Sequence, residues 1–170
     1  MAYNADGTGD SWTSGVDIYD GASGGYNSAH DPGLHIDADD EFHVPFILHS
    51  DSNMESIAYI HSEDGETWDD PVTVYETSGD GQLFDPTFDI AYVGFEPVYV
   101  ITYLEVDEVY LTYSANLGLN WETPVLISTG ADIKPDMCVT DDGYVHNVWE
   151  HDDGDEDYSI QYIRAQFIPD

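Results

Sequence analysis

Trp12, Trp68 and Trp121 stand 56 and 53 residues apart, and each is followed four residues later by a valine, Val16, Val72 and Val125. A spacing kept twice within 170 residues marks a chain built from tandem units that bury their apolar faces against one another. The tryptophan period therefore constrains the architecture before any single residue is assigned a role.

The residues ahead of each tryptophan say what kind of unit repeats. Ser62-Glu63-Asp64-Gly65-Glu66-Thr67 leads into Trp68, and Ser114-Ala115-Asn116-Leu117-Gly118-Leu119-Asn120 leads into Trp121. A looser copy, Asp6-Gly7-Thr8-Gly9-Asp10-Ser11, precedes Trp12 and has no serine at its head. The chemistry is that of a turn: an Asp or Asn side chain accepts hydrogen bonds from backbone amides just ahead of it, and glycine takes the positive φ. The tryptophan that follows is a large apolar plug suited to the space between sheets. These segments resemble the Asp-box, S-x-D-x-G-x-T-W, of the sialidase-type (BNR) repeat family. The copy at Ser62 is one residue short, and the copy at Ser114 has Asn at the Asp and Thr places.

Strand patterns fill the space between the boxes. Asp31-Pro32-Gly33-Leu34-His35-Ile36, Asp85-Pro86-Thr87-Phe88-Asp89-Ile90 and Lys134-Pro135-Asp136-Met137-Cys138-Val139 align on proline, with apolar residues two and four places beyond it. That alternation predicts a first strand after each proline. A second strand is expected around Phe42–Phe46, Val98–Tyr103 and Val145–Trp149. A third is expected over Ile57–Ser62, Val109–Ser114 and Ile160–Ala165, and a fourth at Val16–Tyr19, Val72–Tyr75 and Val125–Ser128. Turns such as Asp37-Ala38-Asp39-Asp40 and Asp141-Asp142-Gly143 join the first two strands. No segment shows a helical period.

The expected class is therefore all-β. Four antiparallel strands in about 50 residues correspond to one propeller blade, and the resemblance implies the same architecture. The chain reads as a single domain, 1–170, with an N-terminal closing strand over 1–20 and blades over 30–80, 81–130 and 131–170, the last without its fourth strand. Propeller rings hold about four to eight blades, and three are too few to close. The family it resembles uses six. The two ends complement each other, so a homodimer is expected, each copy lending its N-terminal strand to the other's last blade and leaving no open edge.

Charge is the second constraint. There are 36 Asp and Glu residues against Lys134 and Arg164, a formal charge of −34, yet 41% of the residues are hydrophobic and 14% aromatic. Such a chain has material for a core and is not of the disordered class. The composition is that of a salt-adapted protein, from the cytoplasm of a salt-accumulating organism or from an extracellular brine. A single lysine and a single arginine make nucleic acid and anionic membranes poor partners. Cys138 stands alone, so no intramolecular disulfide is expected. The longest apolar stretch, 91–106, is broken by Glu96 and Pro97, so neither a signal peptide nor a membrane span is expected.

Function is the least legible level. The resemblance implies a sialidase, but sialidases of that fold clamp the substrate carboxylate with three arginines, and this chain supplies only Arg164. Hydrolysis of glycosides by two carboxylates remains as an alternative, although 36 acids make a suitable pair uninformative. The first strand of each blade lines the channel, so the residues three and one places after each proline are the ligand candidates: His35, Asp89 and Cys138, with Asp136. Cys with His suits a transition metal, whereas Asp alone suits Na⁺ or Ca²⁺. His43 and His146 fall at matching second-strand places and read as packing residues. The acidic stretch Asp152–Asp157 lacks the spacing of an EF-hand loop and reads as a solvated loop. The function expected is a non-catalytic scaffold or binding module for a carbohydrate or small ligand, with no certain cofactor.

Salt dependence tests the charge argument. Raising salt from ~0.1 M to ~1 M shortens the Debye length from about 10 Å to about 3 Å. The thermal midpoint, followed by circular dichroism across a KCl series, is expected to rise throughout that range; a midpoint independent of salt would contradict a salt-adapted fold.

Overall fold

The computed structural model describes residues 15, 17–50, 52, 54–79, 81–130, 132–140, 142–154 and 157–166. Trp12 and Val16, and with them most of the closing strand expected over 1–20, lie outside the described residues, while Asp17, Ile18 and Tyr19, expected in the fourth strand, form no strand. Among the described residues twelve strands form three antiparallel sheets. The first sheet holds β1 (Ser28–His30), β2 (His35–Ile36), β3 (Phe42–His49), β4 (Glu55–Ser62) and β5 (Val72–Glu76). The second is β6 (Leu83–Val93), β7 (Glu96–Glu105), β8 (Glu108–Ser114) and β9 (Val125–Ser128), and the third is β10 (Asp132–Val139), β11 (Tyr144–Gly154) and β12 (Asp157–Gln166). Among the described residues the one helical piece is a 3₁₀ turn, Gly21–Gly24.

The first strand of each sheet differs from the expectation in one respect: it runs through the proline instead of starting after it. β6 spans Asp85-Pro86 and β10 spans Lys134-Pro135, and β1 and β2 are two halves of one strand that both pair with β3. At each proline the pairing register slips by one residue, between His30 and His35, Phe84 and Thr87, and Ile133 and Asp136. The residue before the proline takes up the slack in the left-handed region, with φ of 49° at Asp31, 49° at Asp85 and 52° at Lys134. Asp tolerates that conformation through its short polar side chain, whereas Lys does so at a strain cost. A proline lacks the N–H that a ladder needs, and a bulge is where a strand can accept it.

The two described turns ahead of the tryptophans are built from hydrogen bonds. The Gly65 amide donates to Ser62 Oγ at 2.8 Å, and the Glu66 and Thr67 amides donate to Asp64 Oδ1 at 2.8 and 2.7 Å. The amides from Thr67 and Glu66 hold the Asp64 carboxyl below the usual carboxylate range. In the second copy the Gly118 amide donates to Ser114 Oγ at 3.0 Å and the Asn120 amide to Asn116 Oδ1 at 3.0 Å. Gly65 and Gly118 take φ of 68° and 78°. Trp121 then packs edge-on to Tyr59 of the first sheet, with ring centroids 5.7 Å apart. Trp68 packs against Phe42, on the face of the first sheet that carries Val44, Phe46 and Leu48.

The sheets stack face to face. Along β7, Tyr99, Ile101 and Tyr103 enter the core shared with Ile47, Ile57 and Tyr59 of the first sheet. The alternate residues Val98 and Val100 enter a core with Met137 and Val145 of the third, and Leu104 packs with Trp149. Ile18, Tyr19 and Tyr26 lie on the outer face of the first sheet. The last sheet leaves its outer face open, with Val148, Tyr158, Ile160 and Tyr162 exposed.

Ser62 and Ser114 are both buried. Replacing either with Ala leaves a buried glycine amide without its acceptor, and each substitution is expected to cost about 1–3 kcal/mol. Urea unfolding at constant high salt measures this; an unchanged midpoint in both variants would show that these turns do not stabilise the sheets.

Candidate functional site

The three bulged steps meet. Asp31-Pro32-Gly33, Asp85-Pro86-Thr87 and Lys134-Pro135-Asp136 line a single open groove of about 400 Å³ where the first strands of the three sheets converge. The approach is close enough that a Cβ on Gly33 would lie 2.7 Å from the Pro86 carbonyl oxygen. Glycine is thus required at a place where the other two units carry Thr87 and Asp136. Burial raises the affinity of the Asp85 carboxyl for its proton; the neighbouring Asp31 adds to this and Lys134 opposes it. Lys134 Nζ itself bonds Glu150 at 3.2 Å.

The candidate ligand residues do not share one point. Asp136 is exposed and lines the groove. His35 Nδ1 lies 3.6 Å from Asp89 Oδ1 across the first and second sheets. Asp89 Oδ2 in turn accepts the Val139 amide of the third sheet at 2.6 Å. Asp89 is therefore a tie across two sheet interfaces. Cys138 is exposed, opposite His146 on the open face of the last sheet, and does not join His35 and Asp89. Of the acidic stretch Asp152–Asp157, Asp152 Oδ1 accepts the Gly154 amide at 2.8 Å, while Asp155 and Glu156 lie outside the described residues.

A second concentration of chemistry lies in the cleft between the first and second sheets. His35, His43 and His61 are cross-strand partners on β2, β3 and β4 and form a row of imidazoles. The His43 ring is fully buried, stacked on Phe88 at 4.8 Å with the planes 9° apart. Burial, with His61 beside it, pushes its pKa down to about 4 against the opposing pull of Asp37, so the ring is neutral at pH 7. His43 Nδ1 meets the Tyr59 hydroxyl at 2.7 Å. His61 lies between two carboxylates, with Nε2 3.1 Å from Glu41 Oε2 and Nδ1 3.1 Å from Asp69 Oδ2. Burial raises the pKa of Tyr59 far above its usual value and that of Tyr99 to about 12, so both stay protonated. The cleft in front of His61 has a volume of about 520 Å³ and is walled by Glu63, Asp69, Tyr99 and Leu119, among others. Glu41, His43 and His61 bring three donor atoms within 4.8 Å of one another. Reading His43 as a packing residue describes its burial but misses this grouping. What brings His43 and His61 together is the β3–β4 register.

No protein-family model matches the chain, and no curated protein matches its sequence. Solved structures do. A Hadza microbial sialidase, Hz136, superposes with a TM-score of 0.66 at 11% identity, over 87% of this chain and 37% of the sialidase. A protein of unknown function from Dyadobacter fermentans superposes with a TM-score of 0.56 at 14% identity, over 81% of this chain and 51% of the other. An endo-arabinase from Bacteroides thetaiotaomicron gives a TM-score of 0.49 at 12% identity, over 84% and 57%. The chain thus spans less than two thirds of each of these proteins. At such identities the likeness to the first two is one of fold alone. No described helix is long and apolar enough to cross a membrane.

Asp89 separates a structural tie from a ligand site. Asp89→Ala leaves the Val139 amide without its acceptor and is expected to destabilise the chain by about 1–3 kcal/mol, measured by urea unfolding at high salt. An unchanged midpoint would show that Asp89 is not needed as a tie between the sheets.

Proposed function

We propose that the three sheets are consecutive blades of a β-propeller, and that the chain is a non-catalytic binding module of a salt-adapted organism. Its ligand site is the axial groove. The observation that carries this reading is the convergence of three equivalent Asp/Lys-Pro bulges on one groove, the arrangement produced when repeated units are set around an axis. The groove offers Asp31, Asp85 and Asp136 as acceptors, which suit sugar hydroxyls or a hard cation such as Na⁺ or Ca²⁺.

A second copy completes the ring to six blades in this proposal. Val148, Tyr158, Ile160 and Tyr162 leave the last sheet with an exposed apolar face, at 39%, 55%, 74% and 58% exposure. In the inner sheets the corresponding faces are covered by the next sheet. Sialidase chemistry finds no support in the groove: Arg164 lies on β12, its guanidinium 4.1 Å from the ring centre of Tyr144, and β12 is two strands removed from β10. One observation favours a different reading, a glycoside hydrolase with two carboxylates. Asp85 holds its proton more strongly than an ordinary carboxyl and has Asp31 as a neighbour, the kind of asymmetry an acid and its partner need.

Multi-angle light scattering at high salt is expected to give about twice the chain mass of 18.9 kDa, and a monomer would overturn completion by a second copy. Glycan-array screening is expected to show binding without turnover. Release of sugar by the wild-type chain, lost in Asp85→Asn, would replace the binding reading with the hydrolase.

A further inference from the structure

We propose that the cleft between the first and second sheets binds one divalent transition-metal ion, held by Nε2 of His43, Nε2 of His61 and the carboxylate of Glu41. The proposal is independent of the axial groove and of ring closure, because His43 and His61 lie on β3 and β4 and Glu41 directly precedes β3, all in one chain.

Four observations support it. First, one donor atom from each of Glu41, His43 and His61 lies within 4.8 Å of the other two, with His61 Nε2 and Glu41 Oε2 only 3.1 Å apart. A tetrahedral ion with bonds of roughly 2.0–2.2 Å sets its ligands a little over 3 Å apart, so small side-chain shifts suffice. Second, His43 Nε2 is fully buried and has no hydrogen-bond partner; the nearest carboxylate oxygen, Asp37 Oδ2, is 3.6 Å away. An imidazole nitrogen taken out of water without a partner is costly, and a metal ion supplies the missing one.

Third, both rings are oriented from behind. His43 Nδ1 meets the Tyr59 hydroxyl at 2.7 Å and His61 Nδ1 meets Asp69 Oδ2 at 3.1 Å. With each Nδ1 proton donated to these oxygens, each Nε2 keeps its lone pair for a metal, which is how metal-ligating histidines are held. Fourth, Asp37 is a fixed neighbour. Its Oδ1 accepts the Asp39 and Glu41 amides, each at 2.9 Å, leaving Oδ2 turned toward His43 as a fourth donor or as a partner for bound water.

The donor set selects the ion. Two imidazoles and a carboxylate suit Zn²⁺, Ni²⁺, Cu²⁺ or Fe²⁺, whereas Ca²⁺ and Mg²⁺ take oxygen. The open cleft on the His61 side leaves room for water or an acidic ligand on the metal.

The test is Zn²⁺ titration of the chelator-treated full chain at high salt, in competition with a chromophoric chelator and with excess Ca²⁺ present. One Zn²⁺ per chain is expected, at micromolar affinity or tighter and unaffected by Ca²⁺. His61→Gln and Glu41→Gln, both at partly exposed positions, are each expected to weaken binding by roughly 10- to 100-fold or more, the range that loss of even a supporting residue produces. His146→Gln serves as control, because His146 has the same ring-to-tyrosine contact, Nδ1 to Tyr162 hydroxyl at 2.8 Å, without a second histidine beside it. It is expected to leave the affinity unchanged. Failure to bind Zn²⁺, displacement by Ca²⁺, or equal affinity in the His61 and Glu41 variants would each overturn the site.

Discussion

Burial of both faces of the middle sheet is the constraint on which the rest of the structure depends. β7 alternates Tyr99, Ile101 and Tyr103 toward the first sheet with Val98, Val100 and Leu104 toward the third, and all six are buried. Each such side chain contributes about 1.5–3 kcal/mol relative to exposure, so the two interfaces dominate the cohesion of the chain. Sheets stacked this way are wedges: their first strands come together tightly enough to demand Gly33, while their outer strands part enough to admit Trp121. The groove at the proline steps and the histidine cleft are both products of that wedge, one at its narrow edge and one in its opening.

Acid side chains do more here than hydrate a surface. Asp64, Asp37, Asp89 and Asp152 each accept backbone amides, and the buried Glu55 accepts the Leu83 amide across the first interface at 2.6 Å. With lysine and arginine nearly absent, histidine becomes their partner. Of seven histidines, His30, His35, His43, His49, His61 and His151 lie within 4 Å of a carboxylate. Concentrating the imidazoles among acids in this way also makes a nitrogen-and-oxygen donor set available where three strands align.

The site was only half visible before folding. His35, Asp89 and Cys138 hold equivalent repeat positions, and equivalence suggested a common point on an axis. The residues that meet at one place are instead those of the Asp/Lys-Pro steps. The other equivalent residues reach successive sheet interfaces: His35 meets Asp89, Asp89 reaches Val139, and Cys138 is left on the open face. His43 and His61 are 18 residues apart in the chain and become neighbours through a pairing register that local patterns do not state.

What the sequence by itself determined is the local level: strand positions, the turns closed by Ser62, Asp64, Ser114 and Asn116, and the repeat that sets one sheet after another. These follow from periodicity and from side chains that bond amides two to four residues away, and both are properties of short segments. Only the tertiary structure decided which carboxylates and imidazoles meet, and that the proline steps are bulges inside strands. The physical reason is that both depend on the register between strands and on the angle between sheets, which are set by packing across the two interfaces of the middle sheet.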